Sequence, residues 1–99
     1  MSRKPRLMPF DESKYLDDAQ TQAAYLAEVF ASGDVGHIAH GLGVVAKARG
    51  MTSIAKEAGV AREALYRALS ETGNPELGTV LRVMQALGLE LTVKVPEVV

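Results

Sequence analysis

A chain of 99 residues builds one small helical core, near the size at which a second copy or a partner adds stability. The absence of cysteine excludes disulfides, thiolate metal sites and thiol nucleophiles, and no apolar run approaches a membrane span or the core of a signal peptide, so the expectation is a cytoplasmic protein with no membrane partner. The formal charge of -1 hides an asymmetry: residues 7–46 carry six acids against one base, and residues 47–82 carry six bases against four acids.

Residues 1–9 read as a basic arm carrying Arg3, Lys4 and Arg6, with Pro5 and Pro9 opposing helix. A single domain is expected over 10–95. A short helical turn from Asp11 to Leu16 would anchor the arm through Phe10, Tyr15 and Leu16. The first long helix is expected over 17–32, with Ala19, Ala23, Leu26, Ala27 and Phe30 at three-and-four spacing and Gly33 beyond its end.

Asp34 is placed to cap the next helix, 35–49, whose inward positions are Val35, Ile38, Ala39, Leu42, Val45 and Ala46. Lys47 and Arg49 suit its C-terminal dipole, and Gly50 follows. Gly36, Gly41 and Gly43 inside it each cost about 1 kcal/mol against alanine, which close packing on a neighbouring helix would explain.

Residues 52–69 form the centre of the chain: two short helices meeting at Gly59, a helix-turn-helix. Ile54, Ala55 and Ala58 share one face of the first helix, Leu65, Ala68 and Leu69 one face of the second, and Val60 plugs the gap between them. Ala55 is small enough for a close crossing, and Gly59 can take the left-handed conformation that ends a helix. In such motifs the second helix lies in the DNA major groove. That makes Arg62, Glu63, Tyr66 and Arg67 the exposed candidates for DNA contact, with Thr52, Ser70 and Asn74 flanking them. Glu63 equally suits the helix N-terminus, and Tyr66 could instead cover the seam of the motif.

The turn formers of 70–75 lead to a fifth helix, 76–87, with Leu77, Val80, Leu81, Met84 and Leu87 inward and Gly88 as its stop. Residues 89–95, Leu-Glu-Leu-Thr-Val-Lys-Val, alternate strictly and read as a short C-terminal β-strand ended by Pro96. A lone strand needs a mate. Leu89, Leu91, Val93 and Val95 are therefore the candidate dimerisation residues, pairing with a second copy; the rival is pairing with residues 6–8 of the same chain, which would leave dimerisation to helical faces such as 77–87. The expected fold is all-α: five helices and this strand.

His37 and His40 lack the companions of a metal site, and the glycine-rich run 33–43 lacks the Lys-Ser/Thr ending of a phosphate loop. No nucleophile constellation or cofactor fingerprint is present, so neither an enzyme nor a cofactor is expected.

The runs GMTSIAKEAGVAREALYRALS and GNPELGTVLRVMQALGL, with FDESKYLDD upstream, resemble the addiction-module antidote proteins, a prophage-type group of Xre/Cro-like helix-turn-helix proteins. The resemblance covers residues 10–95. It implies an antitoxin that binds a small basic HigB/RelE-like toxin and, as a homodimer on operator DNA, represses the shared promoter. The competing readings are a protein-interaction module and a plain prophage-type regulator without a toxin. Ala61 departs from the pattern, since the wider group has Ser or Thr there to cap the second helix of the motif.

Overall fold

The computed structural model describes residues 18–97, and these form five helices: α1 (Ala19–Ala31), α2 (Val35–Arg49), α3 (Met51–Ala58), α4 (Arg62–Ala68) and α5 (Leu77–Ala86). The basic arm, the turn at 11–16 and the pairing of residues 6–8 lie outside the described residues. No helix among them is long and apolar enough to cross a membrane.

Each boundary has a local cause. The Asp18 carboxylate accepts the Thr21 amide at 2.7 Å and Asp34 accepts that of Gly36 at 3.2 Å, opening α1 and α2. Gly50, at φ +110°, alone separates α2 from α3 and turns the chain sharply between them. Gly59 closes α3 at φ +72°, and the Val60 amide reaches back to the Ala55 carbonyl at 3.0 Å while its side chain packs on the core.

The core sits around α3, which packs against α2, α4 and α5, while α1 lies on α2. Leu42, Val45, Ile54, Leu65, Val83 and Leu87 are almost wholly excluded from solvent. Arg49 ties distant helices together: its Nη1 donates to Gln22 Oε1 of α1 at 3.0 Å and to the Leu87 carbonyl at the end of α5 at 2.9 Å. Gln22, only 1% exposed, is the buried polar side chain among the described residues.

Four expectations are corrected. In α1 the buried stripe is Gln22, Leu26 and Val29, whereas Ala19, Ala23 and Ala27 face solvent. The alanine spacing mimicked a core face, but the larger side chains together with the Arg49 bond to Gln22 set the rotation. In α5 the buried residues are Val80, Val83 and Met84, with Leu87 at the cap; Leu77 and Leu81 stand 66% and 43% exposed. Val35 is likewise exposed at the first position of α2.

The fourth correction is the strand. Residues 89–95 form none among the described residues. Alternation prepares a strand without supplying the mate whose backbone completes the ladder. Leu89, half-buried, instead ends α5: Gly88 takes φ +75°, the Leu89 amide donates to the Met84 carbonyl at 2.9 Å, and its side chain packs on the core, the same stop that Gly59 and Val60 give α3. Leu91, Val93 and Val95 are exposed, Val93 by 94%.

Candidate nucleic-acid interface

α3 and α4 are joined by Gly59, Val60 and Ala61. Leu65 and Leu69 bury one side of α4, which leaves Arg62, Glu63, Tyr66 and Arg67 on its outer side. Nothing caps the start of α4. Ala61 has the extended backbone of a cap residue, φ -60° and ψ 139°, but no side chain to accept an amide. Glu63 in the first turn supplies the favourable negative charge there.

Beside α4 opens a cleft of about 580 Å³, lined by Lys47, Gly50, Met51, Thr52, Ser53, Lys56, Arg62 and Tyr66. Three cations converge on it from α2, α3 and α4, and no carboxylate lines it. The Arg62 guanidinium lies over the Tyr66 ring, 5.4 Å from its centroid, and both residues line the cleft. The floor includes the first turn of α3, where Gly50 provides no side-chain cap and the leading amides have no acceptor within the helix. Hydroxyl-bearing and cationic residues lining one open cleft suit an extended anion.

The structure thus gathers Thr52, Arg62 and Tyr66 into one cleft. Glu63 and Arg67 share the exposed side of α4 without lining it. Ser70 turns inward on its own chain, its hydroxyl donating to the Arg67 carbonyl at 2.9 Å, and Asn74 is exposed in the loop before α5. Lys47, Ser53 and Lys56 belong to the cleft and escaped the motif reading. Ser53 and Lys56, three apart on the outer side of α3, carried the available signal. Two other exposed cations, Arg49 and Arg82, lie outside the cleft and donate to backbone carbonyls.

A family model described as "Probable addiction module antidote protein" matches residues 6–95. The chain belongs to that family. This antidote is 42% identical over 89 residues to an uncharacterized protein of Haemophilus influenzae, a match that covers 90% of this chain and 92% of that one. No solved structure matches it. Membership implies a toxin partner for the antidote in general terms. Among the described residues no three His, Cys, Asp or Glu side chains come together to hold a metal.

Proposed function

We propose that this antidote is a DNA-binding antitoxin of the Xre/Cro-like helix-turn-helix type, in which α3 and α4 are the motif, α4 enters the major groove, and the protein represses the promoter it shares with a HigB/RelE-like toxin. The observation that carries the reading is the cleft with three cations and no acid, opening directly beside the exposed side of α4. Its Lys47, Lys56 and Arg62 would take backbone phosphates, while Arg67 and Glu63 stand where base edges would be read. An overall charge of -1 is no obstacle, because the positive groups are local and six of the twelve acids lie in residues 7–46, which carry one base.

In this reading the acidic half receives the basic toxin, opposite charge steering the encounter, and the protein has no catalytic role. The working unit on DNA is a homodimer, since one helix of seven residues reads few base pairs and two half-sites about 34 Å apart multiply the specificity.

The test is a gel-shift titration over a salt series with the wild type, Lys56→Ala and Arg62→Ala/Arg67→Ala. Each phosphate contact removed lowers the slope of log K against log salt by about one, and a lost bidentate base contact costs about 1–3 kcal/mol of specific binding. Binding unchanged in the double variant would remove α4 from the interface. A wild type that binds duplex only weakly and at one affinity for every sequence would favour a protein-interaction module.

A further inference from the structure

α2 carries glycines that ordinary helix chemistry disfavours, and two of them face the backbone that ends and follows α4. A β-carbon on Gly43 would sit 2.5 Å from the carbonyl oxygen of Leu69, the residue that ends α4. A β-carbon on Gly36 would sit 2.5 Å from the carbonyl oxygen of Glu71, in the turn that follows. The two glycines stand seven residues apart, about two helical turns, and so share one side of α2. At both points the obstacle is backbone, which cannot swing aside as the tip of a side chain can. Gly73 adds a third close approach, since a β-carbon there would collide with the Ala68 carbonyl.

We propose that Gly36 and Gly43 are positioning residues that set the tilt of α4 on DNA. This rests on the reading of α4 as the groove-entering helix. With only seven residues, α4 has a short lever: its leading end follows the Gly59 to Ala61 turn, its middle is held by Leu65, and its trailing end lies directly on the backbone of α2. A methyl group at position 43 forces the Leu69 carbonyl away by roughly half an ångström or more before ordinary contact is restored, which reaches the tolerance of a bidentate base contact. Phosphate contacts from flexible Lys and Arg side chains absorb such a shift. Base readout does not.

Gly41 provides the control on the same helix. A β-carbon there would meet the Val29 side chain of α1 at 2.7 Å, so alanine strains the packing of α1 on α2 without touching α4.

The experiment selects a preferred duplex from a randomised pool with the wild-type protein, then measures the Kd ratio between a scrambled and the selected duplex for the wild type, Gly43→Ala, Gly36→Ala and Gly41→Ala, each confirmed folded by circular dichroism. Gly43→Ala is expected to lower that ratio about tenfold, on the scale of one lost bidentate contact, while affinity for the scrambled duplex and its salt slope stay at wild-type values. Gly36→Ala moves the ratio the same way, and carries the test should Gly43→Ala not fold. Gly41→Ala keeps the wild-type ratio even where its melting temperature falls. Ratios preserved in both the Gly36 and Gly43 variants, or lowered equally in Gly41→Ala, overturn the proposal while leaving DNA binding intact. A wild type that selects no duplex overturns the DNA-binding reading itself, and the positioning role with it.

Discussion

The Nε of Arg82 on α5 donates to the carbonyl oxygen of Ala58, 3.1 Å away, at the last residue of α3. One side chain therefore satisfies a carbonyl that the helix leaves without a partner and sets positive charge at its negative end. It also fixes α5 against the helix on which the core is centred. Arg82→Gln is expected to cost about 1 kcal/mol, the usual net worth of such a bond, read as a lower urea midpoint at unchanged m-value. The salt slope of DNA binding should stay as in the wild type, because this guanidinium does not line the cleft. A reduced slope with unchanged stability would make Arg82 a phosphate ligand instead.

Ala61→Ser should stabilise the protein. The residue already has extended backbone angles, so a serine hydroxyl can accept an amide of the first turn of α4 without rearrangement. The gain expected is about 0.5–1 kcal/mol, or several degrees in Tm for a chain of this size. A Tm equal to or below that of the wild type would show that Glu63 already compensates the helix start.

Leu77 and Leu81, one turn apart on the outer side of α5, are exposed leucines without a role in the core. If the proposed homodimer forms through this face, Leu77→Glu/Leu81→Glu yields a folded monomer, measured as mass by light scattering at micromolar concentration together with an unchanged helical spectrum. A variant that remains dimeric places the interface elsewhere. A wild type that is monomeric both free and on DNA removes the dimer.

The carboxyl of Asp18 is held below the ordinary aspartate range, chiefly by the Thr21 amide and then by the Thr21 hydroxyl, with the Gln20 amide adding a smaller share. A folded-state value below the unfolded one means that the contribution is complete above the unfolded value and disappears as pH falls through the folded one. Protection of the Thr21 amide from hydrogen exchange should therefore fade on acidification from neutral pH to about pH 2, and Asp18→Asn should flatten that dependence. Equal fading in Asp18→Asn would assign the effect to another group.

Where the chain has local punctuation, the sequence was legible. The Asp34 cap and Gly50 bracket α2 at the residues expected, Gly59 ends α3, and Val60 packs on the core between α3 and α4. Rotation about a helix axis was harder to read. α5 presents Leu77, Val80, Leu81, Val83, Met84 and Leu87 around much of its circumference, and only contact with α3 decides which of them turn inward. In α1 an alanine stripe outweighed a stripe containing Gln22, whose burial depends on an arginine 27 residues away. The strand failed because ladder partners are tertiary. Arg62 and Tyr66 could be named from the motif alone, but the cleft could not, since Lys47 joins Thr52 and Lys56 only through the backbone turn that Gly50 makes.

The pair of hydrogen bonds that Arg49 donates has a kinetic consequence. It joins residues 27 and 38 positions apart in the chain, whereas the contacts within each helix and across the Gly59 turn are short-range and close first. We expect such a long-range tie to be completed after the folding barrier is crossed and to be broken before the barrier is reached on the way out. Arg49→Met should then leave the refolding rate near that of the wild type and place most of the lost stability in faster unfolding, so that the single guanidinium governs how long the folded chain persists rather than how quickly it forms.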